Sequence, residues 1–362
     1  MTLAAAFAAQ SEDCARMGSP LTARLLRLLA DRLTPGGPVA GGPVADRLYR
    51  WPGSADALRR DAVALRLAGG LHALVLSGQE PGLAAAYRAP SAFTDDAFWV
   101  LITAAMAGRA AQLHHWLDSA PQTNEVRRSA GLIAAARWLT ARHKLPLVLS
   151  ELGASAGLNL LWDSFALQLA GQRFGPAAAT VTLAPDWQGP LPLANQPRIT
   201  SRAGVDLNPL DPVADRVRIL SYIWPDQPDR LARTAAALDL AARLRPQVDR
   251  GDAVDWLAGR LTPRLGQLHL IYHTVVWQYL PEATRQRGEA LLAAAGALAT
   301  PQAPIARLAM EWDGQTNGST ITLQLWPPGA TLNLGPVDTH GRWLTWAAPA
   351  PDAVLSPDQT PG

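Results

Sequence analysis

One stretch of the chain has residue types and spacing that could do chemistry. It is Glu151-Leu-Gly153-Ala-Ser155-Ala-Gly157-Leu-Asn159, placed directly after the apolar run Leu147-Val148-Leu149. Gly153 and Gly157 can take positive φ and let a ligand approach the backbone. Unpaired amides at the start of a following helix would favour an anionic group. An acid at the strand end could bind an ammonium or organise the loop. These needs suit a nucleoside-like ligand carrying both a carboxylate and an amine. The same residues fit a second chemistry. Gly153-Ala-Ser155-Ala-Gly157 also matches G-x-S-x-G, the nucleophile elbow of serine hydrolases. Ser155 would then attack, with Asp252 or Asp338 and His273 or His340 behind it, and the chain order Ser, Asp, His is available. No strands are expected before Pro146 to supply that fold's oxyanion loop, and Glu151 has no task in it.

The elements around this loop divide the chain. Residues 1–145 read as an all-α N-terminal domain. Ser19-Pro20 looks like a helix start, and Leu21, Leu25, Leu26, Leu28 and Leu29 form an apolar stripe. Pro35-Gly-Gly-Pro38 and Gly41-Gly-Pro43 break the chain. Helical patterns resume at about 54–77, 81–88, 91–118 and 122–142. From Pro146 the pattern alternates. Short strands are expected at Leu147–Leu149, Val181–Leu183, Ile199–Val205, Pro246–Val248 and Leu268–His273. Helices are expected at about 213–245, 253–260 and 282–299. Strands at Ile305–Trp312, Thr320–Trp326 and Arg342–Trp346, with a turn at Asn317-Gly318, close an antiparallel end. The expected fold is an open α/β sheet over 146–348, with a flexible tail over 349–362. Ligands in such sheets bind at the carboxyl ends of the strands, near the point where the strand order reverses.

Composition narrows the function classes. Of 362 residues 48% are apolar and 17% charged, enough for a sizeable core, and the net charge of +2 demands no polyanion. Neither a nucleic-acid nor a membrane partner is expected. The single cysteine, Cys14, permits no intramolecular disulfide and fits a reducing, cytoplasmic setting. His114-His115 and the distant His143 lack metal-ligand spacing, so no metal is expected.

The pattern E-x-G-x-S-x-G after an apolar strand resembles motif I of class I S-adenosylmethionine-dependent methyltransferases. More closely, the sequence resembles a bacterial family, DUF2332. The resemblance is carried by Gln122-Thr-Asn-Glu-Val-Arg-Arg128, Glu151-Leu-Gly-Ala-Ser-Ala-Gly-Leu-Asn-Leu160, Gly204-Val-Asp-Leu-Asn-Pro-Leu-Asp211, Ile223-Trp-Pro-Asp-Gln227, Gly251-Asp252 and His273-Thr-Val-Val-Trp-Gln-Tyr279. The methyltransferase likeness implies a Rossmann-like methyltransferase-type sheet, S-adenosylmethionine as cofactor and a small-molecule substrate. By position it implies that Glu151, Gly153, Ser155 and Gly157 hold the methionine end. Asp206 would bind the ribose and Asp252 would lie near the adenine amine. His273 and Tyr279, after the fourth strand, would be the catalytic candidates. Asn124, Glu125, Arg128 and Asn159 are expected to face the substrate; the first three are polar residues on an otherwise apolar expected helix, through which the helical domain would lid the cofactor site, unless they form a structural inter-domain network. One departure stands out. Glu151 and Asp206 are 55 residues apart, where dinucleotide folds place the ribose acid roughly 20 residues after the loop. Residues 163–198 must therefore be an insertion, or Asp206 has another job. A protein that binds a nucleoside or metabolite without turning it over remains an alternative, as does the serine hydrolase.

Overall fold

The structure is a computed structural model that describes residues 2–33, 42–53, 56–314 and 318–356. The breaks expected at Pro35–Pro38 and Gly41, the turn residue Asn317 and the end of the tail lie outside those residues. Eight helices come first: α1 Leu3–Arg16, α2 Pro20–Arg32, α3 Pro43–Tyr49, α4 Ala57–Arg60, α5 Val63–Leu76, α6 Pro81–Arg88, α7 Asp95–Gly108 and α8 Ala110–Asp118. Then come α9 Ser129–His143 and the strands β1 Leu147–Leu152, β2 Ala166–Leu169, β3 Gln172–Phe174, β4 Thr182–Leu183, β5 Asp186–Gln188 and β6 Ile199–Asp206. They are followed by α10 Arg216–Ser221, α11 Pro228–Leu244, β7 Val248–Arg250, α12 Ala253–Ala258, β8 Leu268–Thr274 and α13 Glu282–Ala297. The chain closes with β9 Ile305–Glu311, β10 Ser319–Trp326, β11 Ala330–Val337 and β12 Trp343–Thr345. Among the described residues no strand precedes Leu147, and no helix is long and apolar enough to cross a membrane.

The chain divides into two compact units, residues 1–123 with 214–235, and residues 124–213 with 236–362. The first is helical. Its core gathers Phe7, Leu26, Leu29, Leu67, Leu71, Phe98 and Ile102 from the apolar faces of α1, α2, α5 and α7. Residues 214–235 are part of it, and the stretch Ile223–Gln227 supplies a remote helix cap. Asp226 accepts from the Leu21 amide at 2.8 Å and from Ser19 Oγ at 2.5 Å, so the start of α2 is satisfied from another part of the chain. His72 Nδ1 lies 3.1 Å from the Ser221 carbonyl, Trp116 Nε1 donates to Ser221 Oγ at 3.2 Å, and Trp224 packs on the core.

The second unit is mixed α/β around a nine-stranded sheet ordered β5-β12-β11-β10-β9-β8-β1-β6-β7. The run β7-β6-β1-β8-β9 is parallel, whereas β9, β10, β11 and β12 pair antiparallel. Strand β1 is buried along its whole length, as its unbroken apolar start requires. The chain runs from β1 to β6 on one side and returns to β8 on the other, so the order reverses at β1/β8. Register fixes which residues share a face. Glu151 sits opposite Gly204 and Tyr272, while Leu152 sits opposite Val205 and His273. On the Leu152 face Val205, Ile271 and Ile305 pack with Val254 and Leu257 of α12, Leu292 of α13 and Trp277. On the other face α9 approaches β10 closely: a Cβ on Gly131 would lie 2.6 Å from Ile321 Cδ1.

Several expectations change. The antiparallel end has one strand more than expected, because β11, which contains Gly335 and Pro336, lies between the strands expected at Thr320–Trp326 and Arg342–Trp346. Residues 163–198 form a segment of their own between β1 and β6. It holds the small sheet β3-β2-β4, and β5 reaches the edge of the main sheet beside β12. Residues 349–353, expected as a frayed tail, lie along α9. Trp138 Nε1 donates to the Pro349 carbonyl at 2.6 Å, and Arg142 donates to those of Pro351 and Ala353 at 2.6 and 3.0 Å.

Candidate functional site

The loop after β1 turns sharply. Gly153, Ser155 and Gly157 have φ of 70°, 53° and 70°. Five of its amides are already taken by protein acceptors. Gly153 and Ala154 donate to the Val205 carbonyl at 2.9 and 3.0 Å, and Gly157 donates to the Ala154 carbonyl at 2.7 Å. Ser155 donates to Asp206 Oδ2 at 2.9 Å and Leu158 to Asn124 Oδ1 at 3.0 Å. The expected α-helix start is instead a 3-10 turn, Leu158–Ser164. The glycines also have internal reasons. A Cβ on Gly153 would lie 2.4 Å from Val276 Cγ2, and one on Gly157 would lie 3.0 Å from both Pro246 and Val248 side chains.

Two side-chain atoms of the loop are left over. Glu151 Oε2 and Ser155 Oγ are buried and have no hydrogen-bond partner among the described residues. Leaving such a group unmade is costly, so each orphan calls for an explanation. Burial, and next to it the Asp206 carboxylate, push the Glu151 carboxyl well above the usual glutamate range; Tyr272 and Arg128 offset this only in part. The site therefore disfavours the carboxylate form of Glu151. Tyr272 donates to the Asn159 carbonyl at 3.1 Å, and burial drives its phenol upward as well.

The segment before α9 closes over these groups. Asn124 and Glu125 lie outside any α-helix, in the extended approach to a 3-10 turn at Val126–Arg128, and not in the helix expected at 122–142. Asn124 caps the Leu158 amide. Glu125 accepts from the Arg127 amide at 3.1 Å, and its carbonyl accepts from Asn159 Nδ2 at 3.3 Å. Asn159 Oδ1 in turn accepts from Ser129 Oγ at 2.7 Å. Arg128 donates to the carbonyls of Thr274 and Thr339 at 2.9 and 3.0 Å, which ties this segment to the end of β8. Asn124, Glu125, Arg128, Glu151, Ser155, Asn159 and Asp206 are thus brought together at the carboxyl ends of β1, β6 and β8.

The other expected residues have different surroundings. Asp206 clamps two loops, accepting from the amides of Ser155 and, at 2.8 Å, Asn208. Asp252 is the N-cap of α12, accepting from Val254 and Asp255 at 2.9 and 3.0 Å, with Arg287 beside it at 3.4 Å. His273 is fully buried on the Leu152 face. Its Nδ1 is 2.6 Å from Glu311 Oε1, its Nε2 accepts from Arg307 at 3.1 Å, and its ring stacks on Trp277. Burial, the largest influence, lowers its pKa and favours the neutral imidazole, whose Nδ1–H donates to Glu311 while Nε2 accepts from Arg307. Arg307 also pairs with Glu289 at 2.7 Å. Glu311 further accepts from the amides of Val276 and Trp277, at 2.9 and 3.0 Å, and so holds the turn after β8. Tyr279, at the end of that turn, is 74% exposed. Among the described residues no histidine bonds Ser155 Oγ, and no group of three or more His, Cys, Asp or Glu could hold a metal ion.

A family model described as "Uncharacterized protein conserved in bacteria (DUF2332)" matches residues 4–346. The chain belongs to the DUF2332 family. No curated protein matches it. In this DUF2332 chain, Tyr272 and Glu311 are the site-region residues that the sequence reading passed over. Glu311 had a readable signal: like Glu151, it is an acid that ends a buried apolar strand. Tyr272 had none short of the strand register that sets it beside Glu151.

Proposed function

We propose that the loop after β1 binds S-adenosylmethionine and that the protein is a methyltransferase acting on a small molecule. The observation that carries this reading is the pair of buried, unpartnered polar atoms, Glu151 Oε2 and Ser155 Oγ, in one loop at the point where the strand order reverses. The parallel order β7-β6-β1-β8-β9, counted 3-2-1-4-5, supports reading the sheet as Rossmann-like and methyltransferase-type. The antiparallel β10, paired directly with β9, departs from a fully parallel sheet.

The residues fit the cofactor at its amino-acid end. Glu151, once ionised, offers acceptors to an ammonium. Ser155 Oγ offers a donor to a carboxylate. The spent loop amides mean that this end would be held by side chains rather than by a backbone cradle. Asp206 acts through the loop it clamps, and Gly153 and Gly157 let that loop form. When bound, the cofactor supplies a methyl group activated by a sulfonium. The protein's share is then to orient the acceptor and exclude water. Neutral His273, with both ring nitrogens engaged, positions the turn that carries Tyr279, whose exposed phenol is the group free to meet an acceptor.

The test is calorimetric titration with S-adenosylmethionine and S-adenosylhomocysteine, repeated on Glu151→Ala. Binding by the wild type, and loss in a folded variant, is the expected result. No heat with either ligand overturns the reading. A bound cofactor with no methyl transfer to any small molecule would leave a binding protein. One observation favours the hydrolase: Ser155 holds the left-handed φ of 53° that a nucleophile elbow shows. Labelling of Ser155 by a fluorophosphonate would support it. Among the described residues no base is aligned on Ser155, so the hydrolase stands second.

A further inference from the structure

The helical unit has a site of its own. A cavity of about 170 Å³ opens between the end of α8 and the start of α10, lined by His115, Trp116, Ser119, Asp215, Arg218 and Tyr222 among others. Arg218 is half-buried there, and among the described residues no carboxylate or side-chain acceptor pairs with it. Its neighbours in the same unit are used differently. Arg47 is paired with Asp118, Arg109 with Glu80, and Arg66 donates to the carbonyls of Asp61 and Leu117. A partly desolvated guanidinium with five donors and no partner is a site for an anion.

The walls are preorganised for a flat body. The Tyr222 ring packs so closely on α5 that a Cβ on Gly69 would lie 2.5 Å from its Cε1. The Trp116 indole is fixed by its bond to Ser221 Oγ and meets the His115 ring edge-on, with centroids 5.7 Å apart. Fixed aromatic walls reduce the ordering cost of binding. Asp215 also lines the cavity, so a singly charged anion with a neutral body suits it better than phosphate.

We infer that this cavity binds a small aromatic carboxylate, with Arg218 taking the carboxylate and Trp116 and Tyr222 supplying the wall for the ring. The site is separate from the loop after β1 and does not depend on its reading.

The test uses the full chain, without any nucleoside ligand, titrated with benzoate by calorimetry and checked by saturation-transfer NMR. Benzoate should bind saturably, and benzamide and inorganic phosphate should bind at least about tenfold more weakly. Arg218→Gln should weaken benzoate by about tenfold to a hundredfold, the worth of a charge-assisted hydrogen bond, while leaving the thermal midpoint unchanged. Trp116→Leu, checked for folding, should weaken it as well. The inference is overturned if wild type gives no saturable benzoate binding, if Arg218→Gln binds equally well, or if benzamide matches benzoate.

Discussion

Gly153 is the residue whose role most sharply separates packing from ligand approach, and Gly153→Ala tests it. Two costs can be worked from the structure. Ala would have to hold φ of 70°, and a left-handed backbone costs an L-residue roughly 1–2 kcal/mol. Its Cβ would also lie 2.4 Å from Val276 Cγ2 and 3.0 Å from Cγ1, an overpacking of the kind that costs about 1–3 kcal/mol. The expected loss is therefore about 2–5 kcal/mol in urea denaturation followed by circular dichroism. The second cost can be removed separately. In Val276→Ala both Cγ atoms are gone, and the nearest remaining atom is Val276 Cβ at 3.3 Å. A double-mutant cycle should then recover about 1–3 kcal/mol of the Gly153→Ala loss and leave the φ cost in place. Equal losses in both backgrounds would refute the collision. A near-neutral Gly153→Ala that abolished ligand binding would mean the glycine serves a ligand and not Val276.

Three other perturbations follow from the same geometry. Glu151 carries a raised pKa in the folded chain, so the folded state keeps a proton that the unfolded state releases once pH exceeds the ordinary glutamate range; that contribution is lost as pH rises through the folded pKa, and Glu151→Gln should become progressively more stable than wild type in urea melts across that window. A pH-independent difference between the two would count against a protonated Glu151. Asn124→Ala strands the Leu158 amide and should cost about 1 kcal/mol, read as a lower urea midpoint; an unchanged midpoint would show that the cap is not needed. His72 is pushed down to about 4 by burial, so it contributes stability that is present above the ordinary histidine range and lost as pH falls toward about 4; thermal melts of His72→Gln should show a shallower acid slope than wild type.

Much of the second unit could be read from the sequence because the signals there are local. Leu147–Leu149, Leu268–His273 and Ile305–Met310 are mainly apolar runs that the sheet buries on both faces. Strand β11 was hidden because Gly335 has φ of 112° and lies 1.9 Å, at its would-be Cβ, from the Thr345 carbonyl, a close approach that looks like turn chemistry in the sequence. The stretch Asn124–Arg128 was visible as polar residues without a capping box, but its partners, the amide of Leu158 and the carbonyls of Thr274 and Thr339, are 34, 146 and 211 residues away. No local periodicity encodes such pairings. The same holds for Ile223–Gln227, whose Asp226 caps a helix 205 residues earlier in the chain. His273 illustrates the opposite case: a histidine at a strand end is a natural catalytic candidate from sequence, and the acid and the arginine at its two nitrogens come from Glu311 and Arg307, 38 and 34 residues away.

The hydrogen-bond accounting of the loop constrains how any ligand could be recognised there. The amides of Gly153, Ala154, Ser155, Gly157 and Leu158 serve Val205, Asp206, Ala154 and Asn124, so the loop holds its own shape whether or not a ligand is present. Recognition then falls to Glu151 Oε2 and Ser155 Oγ, two side-chain atoms that water does not reach and the protein does not satisfy. A protonated carboxyl and a hydroxyl can each donate or accept, so the neutral pair does not by itself select a charge. Selection would come from the ionisation of Glu151. Asp206 nearby opposes it and Arg128 favours it, and an arriving cation would add to Arg128. A ligand bearing an ammonium would thus bind with release of the Glu151 proton, whereas an uncharged ligand would leave that proton in place. The same buried acid that leaves the loop short of partners would in this way discriminate between the two.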